Sequence, residues 1–274
     1  MFFLSFIMVT IAFFDSGVGG LSVWREVNLL NPEARYVYAF DNRYFPYGNL
    51  EGEVVIDRCR RVLSRIMDQF PVDLVVIACN TASTIVLPVL RSQLNIPVVG
   101  VVPAIKPAAN LSKNKVIGLI ATPATVKRPY IDDLINQYAS DCRVIRFGNS
   151  ELVRLAENKM ITGESDRKVV EDILEPLTRE HGMDTVVLGC THFPWIREEI
   201  QSVLPECKLC IDSGKAIARR VKSILGTKVS ADLTENSAVM DNQAFMTDSS
   251  VAQYKNYCRL FKSFGFSGLN LLSV

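Results

Sequence analysis

This 274-residue sequence has little net charge, few histidines and no apolar run of membrane length. Each scarcity excludes something. Thirty basic residues face 29 acidic ones, for a net charge of +1. No electrostatic footprint for nucleic acid or an anionic membrane is therefore expected. Like charges do not cluster, and the densest basic spot, residues 58–61, reads as the solvated flank of a helix. The only histidines are His181 and His192, and a lone Cys207-Lys-Leu-Cys210 lacks the further ligands a zinc site needs, so no metal is expected. The apolar N-terminus, residues 1–14, falls short of the ~20 residues of a spanning helix. It also lacks the basic start and small-residue cleavage site of a signal peptide. Residues 1–8 read as a short leader or a late start, and Thr10 to Phe14 as a first buried strand. Seven cysteines, an odd number at irregular spacing, argue against a disulfide framework. A soluble, cytoplasmic protein is the expectation. Neither GxGxxG nor a Walker A loop occurs, so no dinucleotide or nucleoside triphosphate cofactor is indicated.

What the chain does have is apolar content, 49% of its residues. Strand-like runs occur at 10–14, 36–40, 73–78, 97–102, 116–120, 143–147, 185–189 and 208–211. Amphipathic segments lie between them. The clearest covers 51–70, with Val55, Cys59, Val62, Leu63, Ile66, Met67 and Phe70 on one stripe. Another covers 213–225, with Ser213 as its N-cap. Alternating strands and helices imply an α/β fold with mostly parallel sheets.

An internal repeat organises the rest. Val72-Asp-Leu-Val-Val-Ile-Ala-Cys-Asn-Thr81 aligns in register with Met183-Asp-Thr-Val-Val-Leu-Gly-Cys-Thr-His192. A second pairing at nearly the same offset sets Ser16 opposite Thr122. The chain therefore reads as two similar α/β domains from a duplication, each with a strand that ends in cysteine. Ligands of open α/β sheets bind outside the strand carboxyl ends. Two such halves facing each other would put Cys79 and Cys190 on opposite sides of one cleft.

Two facing thiols suit one reaction well. One thiolate takes a proton from a carbon and the other thiol returns one to the opposite face, which inverts a stereocentre without a cofactor. Asp15 could orient or deprotonate Cys79, and His192 could do the same for Cys190. Ser16, Asn80, Thr81, Thr122, Thr125 and Thr191 are short polar groups suited to holding a carboxylate. The glycines after Asp15 would let backbone approach a small ligand. The Phe45-Pro46-Tyr47-Gly48 turn would offer it an amide and a phenol.

Asp15-Ser-Gly-Val-Gly-Gly-Leu, Pro46-Tyr-Gly, Ala78-Cys-Asn-Thr-Ala, Gly189-Cys-Thr-His-Phe-Pro and Ile211-Asp-Ser together resemble the motif set of bacterial glutamate racemases. The resemblance covers roughly residues 10–220. It implies cofactor-independent interconversion of L- and D-glutamate, with D-glutamate going to peptidoglycan. It implies Cys79 and Cys190 as the acid/base pair, Asp15 beside Cys79, and His192 with Glu157 beside Cys190. A solvated helix glutamate is the competing reading of Glu157. Asp15, Ser16, Pro46, Tyr47, Gly48, Asn80, Thr81, Thr122, Thr125, Thr191 and His192 would line the substrate. The family pattern further implies a homodimer. Its first domain would comprise residues 1–100 plus 209–274 and its second residues 101–208. Some members take UDP-N-acetylmuramoyl-alanine as an activator. The segment after 227 carries no readable motif.

A racemase of aspartate or another small acid shares the same logic. A two-domain binding protein would keep the polar donors but have no use for matched thiols. A pyridoxal enzyme would need a lysine in these loops, and there is none. A thiol hydrolase would leave Cys79 unexplained.

Overall fold

The computed structural model of the chain describes residues 9–226 and 241–274. The expected leader at 1–8 and the start of the tail after 227 lie outside the described residues. The first half runs β1 (Thr10–Asp15), α1 (Leu21–Leu30), β2 (Arg35–Phe40), α2 (Gly52–Met67), β3 (Leu74–Ile77), α3 (Asn80–Gln93) and β4 (Val98–Gly100). The second half opens with α4 (Ile105–Leu111), β5 (Val116–Ala121), α5 (Pro123–Val126), α6 (Pro129–Tyr138) and β6 (Arg143–Gly148). It continues through α7 (Glu151–Thr162), α8 (Arg167–Thr178), β7 (Thr185–Leu188), α9 (Arg197–Val203) and β8 (Leu209–Ile211). The chain ends with α10 (Gly214–Leu225), β9 (Gln243–Met246), α11 (Tyr254–Ser263) and β10 (Gly268–Leu271).

Two sheets result, and every pairing within them is parallel. The orders are β10-β9-β2-β1-β3-β4 and β6-β5-β7-β8. Within these, β2-β1-β3-β4 and β6-β5-β7-β8 are the same pattern, so the sequence repeat is also a repeat of topology. The register agrees: Ile11 pairs with Leu74 as Ile117 pairs with Thr185. Helices cover both faces, which is why β1, β3 and β7 are buried throughout. The edge strand β6 is the exception. Its exposed Arg143 and Arg146 pair with Glu180 and Asp132, at 2.8 and 2.6 Å, and charge of this kind protects an open edge.

The stripe of α2 packs as its periodicity requires, with Val55, Cys59, Val62, Leu63 and Ile66 buried under the first sheet. Burying each such side chain is worth roughly 1.5–3 kcal/mol. The reading of residues 58–61 as a solvated flank fails at one position. Arg58 is buried and forms a two-pronged pair with Asp41, Nε to Oδ2 at 2.8 Å and Nη2 to Oδ1 at 2.9 Å. Position 58 falls on the inner stripe between Val55 and Val62, so helical geometry turns it inward.

The return to the first half also differs in detail. Residues 209–211 form β8 and pair with β7, so the chain leaves the second sheet after Ile211 and not at 209. Ser213 stands at the N-cap of α10 but makes no capping bond. Its hydroxyl donates to the Val102 carbonyl, while the Gly214 amide donates to Asp212 Oδ1 at 2.9 Å. Beyond this crossing α10 packs back on α1, with Ile217, Ala218, Val221 and Leu225 in the same core cluster as Val23, Trp24 and Val27.

Candidate active site

Strand carboxyl ends supply the site. Asp15 is the last residue of β1, and Cys79 lies two residues beyond β3, at the N-terminal cap of α3. In the second half Thr122 follows β5 directly, and Cys190 lies two residues beyond β7. The two ends meet. Across the junction the Thr191 hydroxyl donates to Asp15 Oδ2 at 2.9 Å and the Ser22 hydroxyl donates to the Thr191 carbonyl at 2.8 Å. Thr81 and Thr122 hydroxyls share a hydrogen bond at 2.9 Å, and Thr125 joins them. The duplicated halves therefore face each other, with Cys79 on one side and Cys190 on the other. Both thiols are nearly enclosed, at 5% and 7% exposure.

The glycine-rich turn after Asp15 also makes room for side chains that its composition did not suggest. None of Gly17, Gly19 and Gly20 has positive φ. What they provide is room for the opposite half. A Cβ on Gly19 would stand 2.3 Å from His192 Nδ1, and one on Gly17 would stand 2.8 Å from Glu157 Oε2. The glycines thus admit His192 and Glu157 as well as any ligand. Gly48 does likewise, because a Cβ there would meet Thr122 at 2.6 Å.

The two thiols have unlike surroundings. Cys79 Sγ lies 3.9 Å from the Ser16 hydroxyl. Burial pushes this thiol well above its ordinary range, and the charge of Asp15 pushes the same way. The Ala82 amide at the start of α3 opposes them and is outweighed. Asp15 itself is raised by burial, although His192 pulls it down. Its oxygens accept from the Ser16 amide at 2.7 Å and from Thr191, so it acts on Cys79 through its field.

On the other side Cys190 Sγ lies 3.7 Å from His192 Nδ1. His192 Nε2 faces Glu157 Oε2 at 2.7 Å. Glu157 is 4% exposed and also accepts from the Val18 amide at 3.0 Å, which excludes the reading of a solvated helix residue. The Phe45 ring packs 5.5 Å from the imidazole. Burial disfavours an imidazolium here, but the bonds to Cys190 and Glu157 outweigh it and hold His192 protonated well above the usual range. A raised folded-state pKa stabilises the fold fully below the unfolded value of about 6.5, and that contribution is lost as pH rises through the folded value. With two histidines in the sequence, this is simple to test by NMR. The His192 ring signal should stay at its imidazolium position at pH 7.5, and a half-titrated signal near pH 6.5 would contradict the geometry.

Other expected residues fall close by, with one difference. Pro46, Tyr47 and Gly48 are buried in the turn against Thr122. The Tyr47 phenol does not face the cleft. It donates to Asp41 Oδ2 at 2.7 Å, because Asp41 is buried and collects every donor around it. Arg58 and the Thr247 hydroxyl bond the same carboxylate. Asn80 is 3% exposed, and its Oδ1 has no hydrogen-bond partner among the described residues. It shares a small cavity with Ser22, Cys190, Thr191 and Ser213. Sequence reasoning missed Asp41 and the inward turn of Arg58, and gave Phe45 no part beside His192. Only Arg58 carried a signal, an arginine in phase with an apolar stripe.

Known proteins are similar to this chain along most of its length. The family model described as Asp/Glu/hydantoin racemase matches residues 26–221. Glutamate racemase of Histophilus somni is 49% identical over 252 residues, covering 92% of this chain and 94% of that protein. That of Aliivibrio fischeri is 49% identical over 262 residues, covering 96% and 97%. Among solved structures, Escherichia coli glutamate racemase in complex with L-glutamate and the activator UDP-MurNAc-ala superposes with a TM-score of 0.89. It is 42% identical, with coverage of 97% of this chain and 99% of that one. With two matched thiols closing one cleft and relatives this similar along nearly the whole chain, this protein belongs to the Asp/Glu/hydantoin racemase family and is an amino-acid racemase.

Proposed function

We propose that the protein interconverts L- and D-glutamate through Cys79 and Cys190, without a cofactor. One observation carries the reading: the thiols occupy equivalent places in two duplicated halves, yet have opposite proton-handling neighbours. In the L-to-D direction the Cys190 thiolate takes the α-proton, and the electron pair left on Cα delocalises into the carboxylate. The Cys79 thiol then delivers its proton to the opposite face. His192, held by Glu157, stabilises the Cys190 thiolate and exchanges its proton, while Asp15 and burial keep Cys79 in the protonated form that the second step requires. The free Asn80 Oδ1 is an acceptor suited to the substrate ammonium. Ser16, Thr81, Thr122, Thr125, Thr191 and the Pro46–Gly48 turn hold its carboxylates.

The reading extends to physiology. D-glutamate made in the cytoplasm would feed peptidoglycan synthesis. UDP-N-acetylmuramoyl-alanine would activate this protein as it does the E. coli one, and the working form would be a homodimer. Each protomer would comprise two domains closing on the cleft. The deciding experiment incubates the purified protein with L-glutamate in D2O, with and without that activator, and follows loss of the Cα–H NMR signal beside optical rotation. Exchange with decay of rotation is expected. No exchange in either condition would overturn the proposal, and exchange with L-aspartate alone would move the specificity to that acid.

A further inference from the structure

The tail after 227 has no readable motif, yet α11 brings one side chain to the Cys190 side of the cleft. The Tyr257 hydroxyl donates to Glu157 Oε1 at 3.0 Å. The other oxygen of that carboxylate, Oε2, holds His192 Nε2 and the Val18 amide. A continuous chain thus runs from Tyr257 through Glu157 and His192 to the Cys190 sulfur. Tyr257 is 7% exposed, and its ring packs 5.6 Å from Phe40.

Packing alone accounts for the ring and leaves the hydroxyl unexplained. Three other tyrosines buried or half-buried in this region, Tyr36, Tyr38 and Tyr254, spend their hydroxyls on backbone carbonyls of Asn31, Gly17 and Leu269. Tyr257 spends its own on the carboxylate that orients His192. Burial, reinforced by the charge of Glu157, pushes the phenol far above its ordinary range, so it remains a donor throughout the working pH. A carboxylate turns readily about its terminal bond. A donor fixed on Oε1 leaves Oε2 aimed at the imidazole.

We propose that Tyr257 is a positioning residue for the Cys190 half of the reaction, acting through Glu157 and His192. This rests on the two-thiol reading, and the test separates the two. The enantiomers of 3-chloroglutamate report each thiol alone. Removal of the α-proton expels chloride from Cβ, and the resulting enamine hydrolyses to 2-oxoglutarate and ammonium. Cys79→Ser and Cys190→Ser variants assign each enantiomer to its thiol. In Tyr257→Phe, elimination from the Cys190-dependent enantiomer should slow about ten- to a hundredfold, the effect of losing one hydrogen bond to a charged group. The Cys79-dependent rate should stay within about twofold, which also establishes that the variant is folded. The His192 ring N–H signal in 15N-histidine-labelled protein should shift in the same variant, whatever the activity. Equal slowing of both enantiomers, no slowing of either, or an unmoved His192 signal would each overturn the positioning role. A wild-type protein inert towards both enantiomers and towards glutamate would instead sink the racemase reading.

Discussion

Cys79→Ser and Cys190→Ser should each cut racemisation by about 10³-fold or more, at the upper end of what one acid/base group contributes. The argument is chemical. A serine hydroxyl is nearly isosteric with the thiol but far too weak an acid to ionise at neutral pH. It can neither remove the α-proton nor return one efficiently. The fold should survive, because each thiol sits among polar strand-end groups and fills the same space after substitution. Turnover is read by circular dichroism of the glutamate signal, and folding by the far-ultraviolet spectrum. The one-sided character matters as much as the size of the loss. Each variant should still eliminate chloride from the enantiomer served by its remaining cysteine. Wild-type turnover in either variant would show the two-base scheme to be wrong.

Asp41→Ala should destabilise the protein by about 3–5 kcal/mol, the cost of removing one partner of a buried ion pair. Asp41 is fully enclosed and accepts from Arg58 twice, from Tyr47 and from Thr247. Without it, the buried guanidinium of Arg58 loses its counter-charge and two hydroxyls lose their acceptor. The Pro46–Gly48 turn loses the anchor that presses Gly48 against Thr122, so KM should also rise. Urea unfolding with an unchanged slope and a lower midpoint is the expected record. The double variant Asp41→Leu, Arg58→Met should recover much of the loss, because an apolar pair of similar volume leaves no stranded charge. A single variant as stable as wild type would mean that water reaches Arg58 and that the pair contributes little.

Most of the scaffold could be read from local pattern. The eight apolar runs all became strands, with ends moved by a residue or two, because strands covered on both faces must be continuously apolar. The duplication was visible because equivalent strands carry equivalent burial. β9, α11 and β10 were not anticipated. β9 and β10 are four-residue strands, too short to establish a period, whereas α11 does carry an amphipathic pattern, with Tyr257 and Phe261 on its buried face.

Local pattern in the chain suffices for the parallel α/β class, the two halves, and the placing of Cys79 and Cys190 at matched strand ends. Periodicity and repetition are local and survive in one dimension. The fold alone shows which side chains stand beside each thiol. Glu157 could equally have faced water until the fold set it 2.7 Å from His192 Nε2, and Tyr257 had no reading until α11 reached the same carboxylate. Arg58 and Tyr47 meet at Asp41 because a buried carboxylate must take its hydrogen bonds from whatever the fold brings near it. The pairings of Glu157 join residues 35 and 100 positions apart, and no spacing rule encodes any of these bonds.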